Sequence, residues 1–279
     1  MPLDDLYTAS KGYYDRNASR YEAASWYYFN GYKTAAVRKE INKCLALLSG
    51  KREIRVLEIG PGTGYLLRFL LERAGAQINY TGIEHSEAMR EILSARYASL
   101  CRSFTLMSES VTPALIEGMP DSARFDLVLG SSILHHLPDY EGVVRALAHR
   151  VLPGGVLYMV REPIHRNECA TPSFLAACLE RLFSVSNELL MSNPVRRRLW
   201  PGKVKAEDAS AIILHMMKDG VSTSVFTELK AIGFCLVSLR KYNRRVSTLL
   251  SFAENAWLRR LRKDIYGNTL LAVCMRRAA

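Results

Sequence analysis

Short strand-like segments alternate with helix-like stretches along residues 54–160. Five short segments predict strands, and the first of them is an apolar run typical of a buried strand: 54–59, 78–84, 103–107, 125–129 and 156–160. Three stretches between them carry apolar residues at three- and four-residue spacing, which predicts helices: 65–74, 86–100 and 140–151. Strands that alternate with helices predict an α/β fold with a mainly parallel sheet covered on both faces.

The pattern differs on either side of this alternating region. Residues 1–31 are rich in tyrosine, and a helical pattern from Val37 to Leu48 follows, which Gly50 should end. After Arg161 the pattern predicts helices at about 171–190 and 206–219, with no clear strand between them. The remainder predicts two helices and two strands, in the order helix 225–232, strand 234–239, helix 251–263 and strand 269–275.

Composition excludes a disordered or fibrous chain. Of the 279 residues, 49% are apolar and 23% are charged, so a large core can be buried. The six cysteines form no C-x-x-C pair and are expected to be reduced thiols, and no metal site is predicted. The first residues do not resemble a signal peptide, and no apolar run reaches the ~18 residues that span a bilayer, so we expect a cytoplasmic protein.

The net charge of +11 is concentrated in two segments. Residues 196–205 carry five basic side chains and residues 240–263 carry eight, whereas the rest of the chain holds 25 basic and 26 acidic residues. These segments suggest docking of an acidic carrier protein, an anionic membrane surface or RNA. The alternative for 250–265 is an amphipathic helix that packs its apolar side and leaves a solvated basic face.

A glycine-rich loop joins the first predicted strand to the next helix. Residues 58–64 are Glu-Ile-Gly-Pro-Gly-Thr-Gly, and glycines let the backbone turn tightly beneath a ligand at the start of a helix. The spacing is not that of a dinucleotide-binding loop, because Tyr65 stands where the third glycine should be. A phosphate-binding P-loop would need a lysine that this loop lacks. The Glu58 carboxylate would repel a pyrophosphate but could accept hydrogen bonds from an ammonium group.

This loop resembles the first motif, E/D-x-G-x-G-x-G, of the class I S-adenosylmethionine-dependent methyltransferases. The resemblance continues in order through the end of the second strand and through segments 125–137 and 152–157. It implies a Rossmann-like, doubly wound, seven-stranded, mainly parallel sheet with an antiparallel last strand, an N-terminal helical lid and a helical insertion. It also implies four parts: a tyrosine-rich lid at 1–50, a cofactor-binding core at 51–161, a substrate-binding insertion at 162–222 and the rest of the sheet domain at 223–279.

The resemblance implies S-adenosylmethionine as cofactor. The Glu84 carboxylate is expected to hold both ribose hydroxyls, and Glu109 to lie near the adenine amine, although each could be an ordinary surface residue. Tyrosines of the N-terminal segment resemble those of a lid, and packing on the core is the alternative. The expected cofactor-binding residues are Glu58, Gly60, Pro61, Gly62, Gly64, Glu84, His85, Glu109, Ser110, Ser131, Tyr14 and Tyr21.

Three residues after the fourth and fifth strands are candidates for catalysis. His135, His136 and Glu162 should lie at the carboxyl edge of the sheet beside the cofactor, where a histidine could act as a base. Packing or helix-start roles are equally open for the two histidines. A surface ion pair with Arg161 or Arg166 is the alternative for Glu162.

We therefore expect a methyltransferase that acts on a hydroxyl or amine of a small molecule, ahead of sulfur or carbon. One alternative is an RNA methyltransferase, although the proline pair typical of enzymes that methylate exocyclic amines of nucleic acids is missing after the fourth strand. Another is a related protein that binds the cofactor for a non-methylating role. The sequence does not identify the acceptor.

Overall fold

The computed structural model describes residues 3–24, 31–165, 220–242 and 269–277, and it contains a seven-stranded sheet. Each of these five segments is a strand, which confirms the alternating pattern. The strands are β1 (Ile54–Ile59), β2 (Ile78–Ile83), β3 (Ser103–Met107), β4 (Phe125–Ser131), β5 (Val151–Pro163), β6 (Phe234–Tyr242) and β7 (Thr269–Arg276).

The strands lie in the order β3-β2-β1-β4-β5-β7-β6. The first five strands pair in parallel. Strands β2 and β3 lie on one side of β1 and strands β4 and β5 on the other, so the strand order reverses next to β1. Strand β7 is antiparallel to both β5 and β6. This confirms the predicted doubly wound sheet with an antiparallel last strand. In such sheets the ligand site lies at the carboxyl edge, near the point of reversal.

Helices cover both faces of the sheet. Ser86 begins one of them as predicted, because its hydroxyl accepts a hydrogen bond from the Met89 N–H. The helix after the glycine loop begins at Leu67, two residues later than predicted, because residues 62–66 form turns. The helices are α1 (Leu3–Asn17), α2 (Tyr21–Ala24), α3 (Gly31–Leu47), α4 (Leu67–Ala74), α5 (Glu87–Tyr97), α6 (Pro113–Glu117), α7 (Tyr140–Arg150) and α8 (Ser224–Glu228).

Within the described residues, the core consists of two apolar clusters, one on each face of the sheet. One, the α7 cluster, includes Leu57, Met159 and residues of α7 and α8. The other, the α3–α4 cluster, includes Tyr80, Val160 and residues of α3 and α4. Neighbouring residues of β5 contribute to opposite clusters, as the alternation of side chains along a strand requires. Both faces of the sheet are therefore covered by helices, and a ligand site is expected at its carboxyl edge.

Several sequence predictions lie outside the described residues. These are the helices expected at 171–190, 206–219 and 251–263, the basic segment 196–205 and most of the basic segment 240–263. The division of the chain into a lid, a core, an insertion and a C-terminal part remains a prediction. Within the described ranges, no helix has the length and apolar character needed to cross a bilayer.

Candidate active site

The three glycines of the loop after β1 have left-handed backbone conformations, but different surroundings. A side chain at Gly64, where φ is +93°, would place its Cβ 2.4 Å from the Tyr97 ring. A Cβ at Gly60 would come within 2.6 Å of the Ile133 side chain. At Gly62, where φ is +55°, a Cβ would meet no atom of the described residues within 4 Å. The outer glycines therefore let the loop pack closely, whereas the middle one borders open space.

The Glu84 carboxylate lies directly beside this loop. Its Oε2 accepts the Gly62 N–H at 3.0 Å, and its Oε1 accepts the Ser86 N–H at 2.9 Å. Burial raises the pKa of the Glu84 carboxyl, and the two backbone donors oppose that rise. Each carboxylate oxygen has a further lone pair. Glu84 is thus fixed in orientation while keeping the capacity to bind the vicinal hydroxyls that the sequence analysis assigned to it.

A narrow cleft lies at the carboxyl ends of β1, β2, β3 and β4. Four of its lining residues, Gly60, His85, Ser110 and His136, are among the predicted site residues. Burial lowers the pKa of His85, which leaves this imidazole uncharged at neutral pH. The other residues of the lining are Tyr7, Ser10, Ile83, Val111, Ile133 and Leu137.

The N-terminal helices are joined to this edge by two carboxylates. Asp15 accepts hydrogen bonds from the Ser86 hydroxyl at 2.7 Å and from the Ala88 N–H at 3.2 Å, at the start of α5. Burial raises the pKa of Asp15, but these bonds and one from Lys11 outweigh it and lower the pKa to about 2. Asp15 therefore carries its charge at neutral pH.

The second carboxylate, Glu22, contacts the glycine loop itself. It accepts the Thr63 hydroxyl at 2.8 Å and also bonds to Arg96 of α5. Neither Asp15 nor Glu22 was assigned a role from the sequence. The sequence shows that Asp15 follows Tyr14 and that Glu22 follows Tyr21, but it does not identify the groups that these two acids contact.

Tyr14 occupies the centre of an aromatic cluster at the cleft. Its ring lies edge-on to four others, with centroids 5.2 Å from Tyr13, 6.0 Å from Tyr21, 6.0 Å from His85 and 6.3 Å from His136. Both tyrosines that the sequence analysis placed over the cofactor are therefore at the predicted edge. Ring faces at this position suit a sulfonium cation.

Nine of the twelve expected cofactor residues are not among those that line the cleft, and Glu58, Glu109 and Ser131 are three of these nine. Glu58 is 1% exposed, and its Oε2 accepts the Tyr80 hydroxyl at 2.8 Å, so its carboxyl has a partner inside the protein rather than a place for an ammonium group. The Glu109 side chain is exposed, whereas its neighbour Ser110 lines the cleft. Ser131 ends β4 and is half-buried.

His135 and Glu162 form a buried pair beyond the ends of β4 and β5. The His135 Nδ1 lies 2.7 Å from the Glu162 Oε2, and because a carboxylate only accepts, Nδ1 must donate. Glu162 is fully buried, and its oxygens also accept the N–H groups of Ile133 at 2.8 Å and His135 at 3.2 Å. The surface ion pair considered for Glu162 is therefore wrong, since the carboxylate is inside and bound to His135.

His136 lies beside this pair and lines the cleft. Its ring centroid is 4.1 Å from that of His135. Burial lowers the pKa of His136 well below its usual range, and the neighbouring His135 and His85 act in the same direction. Its Nδ1 is buried and has no hydrogen-bond partner within the part of the chain that the structure describes. A buried, unsatisfied nitrogen of this kind suits a ligand that brings its own hydrogen-bonding group.

The described residues fit S-adenosylmethionine. Open space above Gly62 leaves room for the group, the Glu84 carboxylate offers acceptors to a diol, and the Tyr14 ring offers a face to a cation. The same residues offer no anchored cation for a pyrophosphate, which agrees with the loop spacing. Within the described ranges, no cluster of three or more His, Cys, Asp and Glu could hold a metal ion.

Part of this chain is similar in sequence to known proteins. A family of methyltransferase domains matches residues 57–157. A ubiquinone biosynthesis O-methyltransferase of Alkalilimnicola ehrlichii is 28% identical over 170 residues, which are 57% of this chain and 64% of that protein. Its counterpart in Pseudomonas fluorescens is 35% identical over 121 residues, 43% of this chain and 47% of that protein. The chain thus spans about half to two thirds of the length of these two relatives.

A solved structure has a similar fold over nearly the whole chain. The plantazolicin methyltransferase BpumL, solved with S-adenosylhomocysteine, covers 98% of this chain and 97% of its own, with a TM-score of 0.52 and 14% identity. At that identity the similarity concerns the fold alone. The match to the methyltransferase-domain family covers residues 57–157, which include the glycine loop, Glu84, His135 and His136.

Proposed function

Because residues 57–157 are a methyltransferase domain of the class I S-adenosylmethionine-dependent family, we propose that this protein methylates a small molecule. We propose a hydroxyl or an amine as the acceptor, because the His135–Glu162 pair would provide a base for the proton that such an acceptor must lose. The observation that supports this most directly is the His135–Glu162 pair at the carboxyl edge. The ubiquinone O-methyltransferase relatives are consistent with an oxygen acceptor.

The glycine loop and Glu84 would bind the cofactor, which supplies an electrophilic methyl group on sulfur. Glu84 would accept both ribose hydroxyls, since its carboxylate is already oriented by the Gly62 and Ser86 N–H groups. A group fixed before binding need not reorganise, which saves part of the cost of ordering the site. The lid residues Asp15 and Glu22 would hold α1 and α2 over the same loop and exclude water.

His135 would take the proton of the acceptor during transfer. Its Nδ1 proton is committed to Glu162, so in the neutral ring Nε2 is the nitrogen with a free lone pair. The buried carboxylate would also stabilise the imidazolium that forms. A positioned base of this kind contributes about 10²- to 10⁴-fold to a rate. The uncharged His136 beside it would hydrogen-bond the acceptor at the cleft.

The partner and location remain proposals that rest on sequence. The basic segments 196–205 and 240–263 suit an acidic carrier protein or another anionic surface. If a carrier delivers the acceptor, transfer should weaken as ionic strength rises, because charge pairing between exposed groups is screened by salt. We expect the protein to act in the cytoplasm.

The proposal can be tested with methyl-labelled S-adenosylmethionine. We expect the full chain to move label into the small-molecule fraction of a metabolite extract and not into RNA supplied separately. With that fraction as acceptor, His135→Ala and Glu162→Gln should each lower kcat by about 10²- to 10⁴-fold at unchanged cofactor affinity, because the base is lost or loses its orientation. His149→Ala, on the exposed face of α7, is the matched control and should keep full activity.

Two other outcomes would contradict the proposal. Label in RNA would support the nucleic-acid alternative, and label that never leaves the cofactor would support a non-methylating role. Full activity in both the His135 and Glu162 variants would refute the base while leaving methyl transfer itself in place.

A further inference from the structure

Two residues with left-handed backbone conformations lie next to each other at the ends of β4 and β5. Ser132 has φ of +55° and Arg161 has φ of +68°, and no other non-glycine residue in the described ranges has a positive φ. Residues with side chains adopt this conformation at a cost and keep it only where their surroundings hold it. The two residues immediately precede the Ile133–His136 turn and Glu162, respectively.

The left-handed Arg161 is the extra residue of a β-bulge. Val160 pairs with Leu271 and Glu162 pairs with the adjacent Leu270, so the register between β5 and β7 shifts by one residue at Arg161. A bulge of one residue exchanges the faces to which the following side chains point. This exchange is visible in the contacts on either side of it.

Before the bulge, the side chains of β5 alternate regularly. Met159 belongs to the α7 cluster and Val160 to the α3–α4 cluster, so a regular strand would return residue 161 to the first and residue 162 to the second. Instead, the Arg161 guanidinium lies 4.4 Å from the centroid of the Tyr65 ring, which belongs to the α3–α4 cluster. Glu162 bonds to the N–H of Ile133, which packs on the α7 cluster. The bulge therefore places Glu162 under the turn that carries His135.

Two hydrogen bonds join the ends of the strands at this point. The Ser132 N–H donates to the Val160 carbonyl at 3.0 Å, and the Ser132 hydroxyl donates to the Arg161 carbonyl at 3.2 Å. The second bond is made to the left-handed residue itself, so it holds the peptide that leads into Glu162. We call Ser132 and Arg161, with this bond, the clasp.

We propose that the clasp is a positioning device that fixes the Glu162 carboxylate against His135 Nδ1. Ser132 and Arg161 act through Glu162 and need not touch the acceptor. The Arg161 side chain also contacts Tyr65, which directly follows the glycine loop, so one bulge connects the cofactor loop to the base. This inference rests on the proposed function, because it assigns the clasp to the base of that reaction.

The test observes the His135 ring directly and needs no acceptor. In the full chain labelled with 15N-histidine, a proton held between His135 Nδ1 and Glu162 should give a downfield, slowly exchanging signal, and Glu162→Gln identifies it by its loss. Ser132→Ala removes only the hydroxyl of the clasp. We expect this variant to lose the slow exchange and to populate both ring tautomers, while its affinity for S-adenosylmethionine stays within about twofold.

A matched pair at Arg161 tests the left-handed backbone. Arg161→Gly and Arg161→Leu both lose the guanidinium, but only glycine adopts a φ of +68° without strain. The glycine variant should keep the His135 signal and the leucine variant should lose it. Where a methyl acceptor is at hand, Ser132→Ala and Arg161→Leu should lower kcat by about 10- to 100-fold, since small displacements of catalytic groups have effects of that size.

The possible results distinguish a failure of the clasp from a failure of the proposed methyl transfer. A His135 signal that is unchanged in both Ser132→Ala and Arg161→Leu would overturn the clasp even if methyl transfer is found. If Arg161→Leu does not fold, Ser132→Ala decides the question alone. If the signal responds as expected but no label leaves the cofactor, the clasp stands and the proposed function fails.

Discussion

The Glu58 carboxyl shows how burial changes the chemistry of a single residue. It is 1% exposed, bonded to the Tyr80 hydroxyl and near a second carboxyl, that of Glu84. Burial raises the pKa of Glu58 to about 8, and the charge of Glu84 adds to the rise, whereas the Tyr80 bond opposes it. Glu58 is therefore largely protonated at neutral pH. A group that must stay neutral to remain buried makes the stability of the protein depend on pH.

The sign of that dependence follows from linkage. The folded pKa of about 8 lies above the unfolded value of 4.5, so the folded state binds more protons between these limits. The stability that Glu58 contributes is present below pH 4.5 and is lost as the pH rises through 8. Glu58→Gln keeps an acceptor for Tyr80 and removes the titration.

We expect Glu58→Gln and the wild type to be about equally stable at pH 5. At pH 9 the variant should be more stable by roughly 2–4 kcal/mol, since each unit of pKa shift corresponds to about 1.4 kcal/mol. Denaturant unfolding at the two pH values measures this difference. Glu91→Gln, on the exposed face of α5, should show no such change. Parallel stability curves for Glu58→Gln and wild type would contradict the assignment.

For single residues, the sequence predicted where the site residues lie in the sheet better than it predicted which side chains they contact. It placed Glu84, His135 and Glu162 at the carboxyl edge, because each follows a strand and parallel strands end at one edge. It did not predict that Glu162 bonds to His135, since that contact depends on a bulge that reverses the faces of β5. Nor did it predict that Glu58 points inside, because strand periodicity does not distinguish the two faces of a buried strand.

At the scale of elements, the glycines of the loop after β1 serve two different purposes, packing and ligand binding, which the sequence motif does not distinguish. Gly64 is required by packing, because its neighbours Tyr97 and Leu93 fill the space that a side chain would need. Gly62 borders open space, where we place the cofactor. One substitution should therefore damage the fold and the other should damage binding.

We expect Gly62→Ala to fold, with a loss of about 1–2 kcal/mol for a left-handed alanine, and to bind S-adenosylmethionine at least tenfold more weakly. Gly64→Ala should lose about 3 kcal/mol or more, because strain and overpacking add. Denaturant unfolding and calorimetry measure the two effects. If both variants lost the same stability and kept cofactor affinity, the distinction between the two glycines would be wrong.

The ends of helices were predicted correctly where the residue there is a typical cap, such as a serine at the start or a glycine at the end. Ser86 and Gly75 are such caps, and the structure confirms both ends. Helix α6 was missed because five residues are too few to show a helical period. Strand β5 is longer than predicted, since the Pro153-Gly154-Gly155 sequence indicated a turn but lies within the strand.

At the scale of the molecule, the charge and the cofactor site belong to different parts of the chain. The excess of basic residues lies at 196–205 and 240–263, whereas the residues outside these segments are nearly balanced. The positive charge therefore says nothing about methyl transfer and concerns a possible docking surface. The parallel part of the fold was predictable from the alternating pattern, whereas the seven strands and the antiparallel last strand were expected only from the resemblance to the methyltransferase family.

The central claim is that the carboxyl edge of this sheet binds S-adenosylmethionine through the glycine loop and Glu84. Titration calorimetry of the full chain with this cofactor tests it most directly, with Glu84→Ala as the site variant and Glu91→Ala as the control. We expect saturable binding in the wild type and the control, and a loss of about 1.5–3 kcal/mol in Glu84→Ala, as for a hydrogen-bonded charged group. No binding heat at high micromolar cofactor, or equal affinity in Glu84→Ala and wild type, would contradict the claim.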